Sequence, residues 1–163
     1  MSTVALEQLY RRYFPVVRAS CGRLLRDREE AQDVAQETFI RLWKSGLVEG
    51  GDREVTAWIQ RIATRLSLDH LRRRKVRAAA ADGELKEPAP TASGASAQAD
   101  SRRALEELAR TVPRDELEVA VLHRMEGLGQ DEIAEVLEVS ARTVRRMLAR
   151  FDERVVTLQR SEP

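Results

Sequence analysis

EIAEVLEVSARTVRRMLAR, residues Glu132 to Arg150, sets the reading of the whole chain. Ile133, Ala134, Leu137, Val139, Val144 and Leu148 carry the apolar spacing of two short helices joined by a tight turn. Ala134 is small where two helix backbones approach closely. Ser140 suits an N-cap, because its hydroxyl accepts from the free amides of a first helical turn. Beyond it, Arg142, Thr143, Arg145, Arg146 and Arg150 supply donors for phosphates or guanine edges. The pattern is that of a helix-turn-helix with its second helix in a DNA groove. An ordinary helical hairpin with a solvated basic face would show the same spacing. Glu138 occupies the turn, where positive φ favours glycine and another residue costs about 1 kcal/mol.

Outward from this stretch, the 163 residues are 34% charged and only 4% aromatic. That suits an all-α protein of one or two small domains. Charge is unevenly spread. Residues 1–77 hold 16 Lys and Arg against 10 Asp and Glu, residues 78–100 hold 1 against 4, and residues 101–163 hold 11 against 13. The basic part is therefore N-terminal, densest at Arg72-Arg73-Arg74-Lys75. DNA affinity of the C-terminal part must come from a local arginine stripe. The single cysteine, Cys21, excludes an internal disulfide and a zinc site of paired cysteines, and reads as a packed core thiol. No metal site or cofactor is expected. Without a signal peptide or a long apolar run, a cytoplasmic protein with no membrane insertion is expected.

A first helix is expected over residues 4–26, through Leu6, Leu9, Tyr10, Tyr13, Phe14, Val17 and Leu24 or Leu25, with Pro15 placed to kink or divide it. Asp27 is the expected cap of a second helix over 29–44. Its stripe of Ala31, Val34, Ala35, Thr38, Phe39 and Leu42 is the clearest periodicity in the chain. The other face carries Asp33, Gln36, Glu37, Ile40 and Lys44, followed by Trp43. It fits either a dock for a basic helix or a solvated face with one stray apolar residue. Residues 45–53 form a glycine-rich loop, with Asp52 as the expected cap of a third helix over 54–77. Val55, Trp58, Ile59, Ile62 and Leu66 point inward there. Arg61, Arg65, Asp69 and Arg72 line the opposite stripe, with Asp69 set to bridge Arg65 and Arg73. Excess arginine favours phosphate binding over a salt-bridged surface. Residues 78–100, rich in Ala, Ser, Pro and Gly, read as a flexible linker. Short helices are expected over 102–110 and 114–125, and the last helix runs to about Leu158.

The segments EEAQDVAQETFIRLWK and TAWIQRIATRLSLDHLRRRK, followed by the helix-turn-helix, resemble the extracytoplasmic-function sigma factors of bacterial RNA polymerase. The resemblance covers all but the linker. It implies two small helical domains, 1–77 and 101–163, joined by linker 78–100. It implies that Asp33, Gln36, Glu37, Phe39, Ile40 and Trp43 serve binding to core polymerase. Trp58, Arg61, Arg65, Asp69, Arg72, Arg73 and Arg74 stand where the family recognises and melts the −10 element, the loop 46–53 where it captures a flipped base. Ser140, Arg142, Thr143, Arg145, Arg146 and Arg150 stand where it reads the −35 element. An anti-sigma partner is also implied; a small-molecule substrate is not. Three positions depart: the family usually has asparagine at Arg65, glycine at Glu138, and often an aromatic residue at Val55.

Scarce aromatic platforms imply weak melting and a need for a close promoter match. A DNA-binding regulator using only the helix-turn-helix is the alternative, and it would have no use for Asp33, Gln36 and Glu37. His70 and His123 fall on separate helices, His70 beside the basic cluster and His123 expected at the surface, with no nucleophile or phosphate loop to make an enzyme. A closed arrangement of the domains is expected because Ile40 and Trp43 would gain cover.

Overall fold

The computed structural model describes residues 3–47, 51–80 and 94–161, which form seven α-helices with no strand among them. Helix α1 (Thr3–Leu25) runs through Pro15 undivided. It buries Val17, Cys21, Leu24 and Leu25. Tyr10 is 38% exposed and stacks on Phe14 with ring centroids 4.4 Å apart.

Helix α2 (Arg28–Ser45) starts where the Asp27 carboxylate accepts from the amides of Glu29 and Glu30, at 2.9 and 3.0 Å. Gly46, at φ 75°, ends it in the left-handed conformation that only glycine adopts without a steric penalty. Ala31, Val34, Ala35, Thr38, Phe39 and Leu42 are all buried, so the 3.6-residue period alone identified the packed face. Burial of a side chain such as Phe39 or Leu42 contributes about 1.5–3 kcal/mol.

Helix α3 (Asp52–Ala80) is longer at both ends than its apolar pattern indicates. Asp52 does not cap it. The Val55 amide donates to Gly51 O, and the Asp52 carboxylate instead accepts from Tyr13 Oη at 2.6 Å and from Arg12 at 3.3 Å, tying α3 to α1. Val55 and Ile59 are buried, and Trp58 and Ile62 pack half-buried against the same core.

Helix α4 (Gly94–Thr111) begins well before Arg102. The expected linker 78–100 therefore carries helix at both ends; residues 81–93 lie outside the described residues. Alanine, the strongest helix former, outweighs the small-residue composition there. Helix α5 (Arg114–Arg124) follows Pro113, and α6 (Gln130–Leu137) and α7 (Ala141–Ser161) complete the chain.

Helices α1, α2 and α3 form one bundle, and α5, α6 and α7 another around Val119, Leu122, Ile133, Val136, Val144 and Leu148. Helix α3 is their common wall, packing on α1 and α2 from one side and on α4, α5 and α6 from the other. Apolar contact continues across it, from Leu68 and Leu71 to Ala109, Val112, Leu117 and Val121. The two halves are thus closed on each other, though for another reason than cover for α2. Ile40 and Trp43 stay 43% and 54% exposed, and α3 is what becomes covered.

Candidate nucleic-acid and protein interfaces

The outer face of α2 presents Asp33 and Gln36, exposed, with Ile40 and Trp43 beside them at helical spacing. Glu37 accepts from Arg41 Nε at 2.7 Å within the helix, so its carboxylate is partly neutralised. Phe39 is edge-on to Tyr10 at 5.1 Å, which fixes the rotation of α2 and keeps the opposite face outward. An exposed tryptophan on the same helical stripe as a carboxylate and an amide suits a helix that brings both cations and apolar surface.

The helix-turn-helix is built as its spacing indicates. Glu138 adopts φ 57°, ψ 43°. The chain turns there through hydrogen bonds from Glu138 N to Glu135 O and from Val139 N to Ala134 O. Ser140 Oγ accepts from Thr143 N at 3.1 Å and caps α7. Glu132 reaches back to Gly129 N at 2.6 Å and anchors the start of α6. Val144 and Leu148 point into the core. Arg142, Arg145, Arg146 and Arg150 are exposed, and none of them makes an ion pair among the described residues. The arginine stripe of α7 is free to meet an anion.

The arginine stripe of α3 is not. Arg65 Nε donates to Glu118 at 2.8 Å, and Glu118 is 1% exposed. Arg61 pairs with Glu138 at 3.1 Å, and Arg53 pairs with Glu135. Asp69 accepts from Arg114 at 3.0 Å rather than bridging Arg65 and Arg73. Arg72 Nε donates to Ala109 O at 2.8 Å. Arg74 meets both Glu106, at 3.0 Å, and Glu30. Of the seven α3 residues singled out from sequence, only Arg73 is exposed. Residues 48–50 of the loop that stands where a flipped base is captured lie outside the described residues.

Burial pushes the Glu118 carboxyl above the usual carboxylate range, against the pull of Arg65 and Arg114. Burial, with the charges of Arg73 and Arg77, pulls His70 below its usual value. Its Nε2 lies 3.3 Å from Glu30 Oε1, and the lowered pKa weakens any ion pair there. His123 is half-buried rather than on the surface, and Nδ1 donates to Leu128 O at 2.9 Å. Cys21 is a buried thiol whose pKa burial raises, as fits a core position.

The acidic partners of α3 were the residues that sequence reasoning missed. One signal was present: α5 reads Leu117, Glu118, Val119, Ala120, Val121, Leu122, apolar nearly all round. A helix of that kind is buried on every side, and a carboxylate inside it requires a cation from elsewhere in the chain.

Comparison with known proteins covers most of the chain. Residues 9–77 match the family described as Sigma-70 region 2, and residues 102–150 match Sigma-70, region 4. The RNA polymerase sigma-H factor of Pseudomonas aeruginosa is 32% identical over 149 residues, 82% of this chain and 75% of that protein. The RNA polymerase sigma factor CarQ of Myxococcus xanthus is 33% identical over 138 residues, 83% and 78% of the two chains. The ECF RNA polymerase sigma factor SigE of Mycolicibacterium smegmatis is 32% identical over 154 residues, 88% of this chain and 57% of that protein. Another relative, a probable RNA polymerase sigma factor RfaY of Xanthomonas campestris, is 29% identical, and the aligned segment spans 33% of its length.

Proposed function

Because the chain belongs to the extracytoplasmic-function sigma factors of RNA polymerase, with sigma-70 regions 2 and 4 in that order, we propose a specific division of labour among its helices. Helix α2 docks on core polymerase through Asp33, Gln36, Glu37, Ile40 and Trp43, with Phe39 holding the helix in place. Helix α3 recognises the −10 element and promotes melting through Trp58, Arg61, Arg65, Asp69, Arg72, Arg73 and Arg74. Helix α7 reads the −35 element from the major groove through Arg142, Thr143, Arg145, Arg146 and Arg150, with Ser140 setting its start. The factor carries out no reaction of its own; it supplies recognition to the polymerase. An anti-sigma factor covering the α2 face would hold it inactive in the cytoplasm.

The observation that carries this reading is the exposed pair Ile40 and Trp43 beside Asp33 and Gln36. Water contact with a tryptophan is unfavourable, so its persistence on an otherwise well-packed helix argues for a partner. The free arginine stripe of α7 would also serve a regulator that binds DNA without polymerase. Run-off transcription with purified core polymerase on a library of random promoters separates the two. Protein-dependent transcripts sharing two upstream elements at fixed spacing support the sigma reading. Absence of transcripts and of core binding would leave the regulator.

A further inference from the structure

Other arginines of α1 and α2, such as Arg12, Arg23 and Arg41, each meet a carboxylate. Arg18, Arg26 and Arg28 do not: among the described residues none of them makes an ion pair or a side-chain hydrogen bond. Together with Gly22, Asp27 and Ala31 they line a recess of about 340 Å³ between α1 and α2. Its origin is periodic. Arg18, Gly22 and Arg26 stand four residues apart along α1 and just past its end, and Arg28 and Ala31 share one side of the first turn of α2. Gly22 has no side chain where the helices cross, and a Cβ there would lie 3.9 Å from Ala31 Cβ, so small residues make the floor. Arg26 has φ 53°, and its amide donates to Gly22 O at 3.0 Å as α1 ends. Glycine is what such a position favours; an arginine is strained there and adds a cation to the recess. Asp27 also lines it, but its Oδ1 already accepts from the amides of Glu29 and Glu30. Glu30 turns to Arg74. Three guanidinium groups thus face one carboxylate that is engaged elsewhere.

We propose that this recess is a binding site for a small anion carrying two or more phosphoryl groups, held by Arg18, Arg26 and Arg28. A guanidinium fork takes two phosphoryl oxygens at once, and each phosphoryl group brings three acceptor oxygens and between one and two charges. Forks from α1, from the turn and from α2 exceed what one phosphoryl group can use and match a diphosphate. The volume lies near the lower end of the range for ligand pockets, about 300–1,000 Å³, which suits a compact anion. A duplex backbone is better met by an outward stripe of cations such as that of α7. The recess shares no residue with the outer face of α2, with α3 or with α7, so the site does not depend on the roles proposed for them. A bound anion joins the end of α1 to the start of α2 and stabilises the first bundle by mass action.

The test is isothermal titration of the full chain with pyrophosphate, orthophosphate and citrate at about 0.15 M ionic strength, where loose attraction is screened. Thermal unfolding is read alongside. The unaltered chain is expected to bind one pyrophosphate, about tenfold tighter than orthophosphate or citrate, and to melt higher in its presence. Arg26→Gly separates binding from folding. It relieves the positive φ, so the free variant should melt about 2–4 °C higher while its pyrophosphate affinity falls about tenfold. A folding defect cannot produce that combination. Arg18→Gln with Arg28→Gln should abolish binding, and Arg145→Gln with Arg146→Gln, which removes two free cations of α7, should preserve it. No pyrophosphate binding, citrate bound as tightly, or equal losses in the recess and α7 variants overturns the proposal. It is also overturned if pyrophosphate does not bind and Arg18→Gln with Arg28→Gln instead weakens binding of a labelled duplex, which would assign the recess to backbone phosphates.

Discussion

Arg65 and Glu118, 53 positions apart, meet at 2.8 Å, but the carboxylate is 1% exposed while the guanidinium side chain is 38% exposed. The pair is therefore unequal in what each partner leaves behind when the other is removed. Arg65→Met strands a buried carboxylate and is expected to cost about 3 kcal/mol. Glu118→Met leaves a guanidinium that already reaches water and is expected to cost less than half of that. Urea unfolding of the two variants measures the difference, and equal losses would refute the inequality.

The same carboxyl makes stability depend on pH. Burial raises its pKa in the folded chain, so between its ordinary value and the raised one the folded state binds more protons than the unfolded state. Its contribution is therefore complete below the ordinary carboxyl value and is lost as pH rises through the folded value. Unfolding free energy of the unaltered chain relative to Glu118→Gln should fall with rising pH across the acidic range. A difference that rises instead would show that attraction to Arg65 outweighs desolvation.

Trp43→Ala is expected to weaken binding to core polymerase by about 10- to 100-fold, the loss of one buried aromatic anchor. Its melting temperature should stay within about 1–2 °C, because a half-exposed side chain contributes little to the free fold. Titration of core polymerase, with calorimetry of the free variant, checks both halves of this expectation. Lost affinity accompanied by a large fall in melting temperature would point to a folding defect.

Glu138→Gly should stabilise the second bundle. It relieves a non-glycine residue at φ 57°, worth about 1 kcal/mol, and gives up only an exposed ion pair with Arg61. Ser140→Ala should do the reverse, losing the cap on the Thr143 amide at a cost of about 1 kcal/mol. Thermal unfolding of the two variants should shift in opposite directions, by about 2–4 °C each.

With Trp58 half-buried and no second aromatic beside it on the exposed side of α3, base capture is expected to be weak. Run-off transcription from promoters with single −10 substitutions should fall by about tenfold or more at most positions, since each lost base contact costs about 1–3 kcal/mol. Broad tolerance of such substitutions would contradict this.

What the sequence made legible was what repeats within one helix. The six-residue stripe of α2, the Asp27 cap and the Ser140 cap depend on neighbours three or four positions away, and all are found as read. Asp69 shows where such reasoning ends. Its local options, Arg65 and Arg73, were at ideal spacing, yet Arg114 takes it from 45 positions away. Glu106, Glu118 and Glu138 have no period that announces their partners on α3. Helix at 94–100 was missed because small residues were weighed as linker composition rather than as helix formers. The DNA-facing reading of the α7 arginines rests on their spacing past Ser140, whereas the polymerase-facing reading of α2 and the −10 reading of α3 rest on family resemblance.

Arg142, Arg145, Arg146 and Arg150 of α7 face solvent, while Arg61, Arg65 and Arg74 of α3 face carboxylates. The molecule in this state offers one set of cations to solvent and satisfies the other internally, so added salt acts on the two unequally: it screens the exposed arginines of α7 and reaches the Arg65–Glu118 pair, with its buried carboxylate, far less.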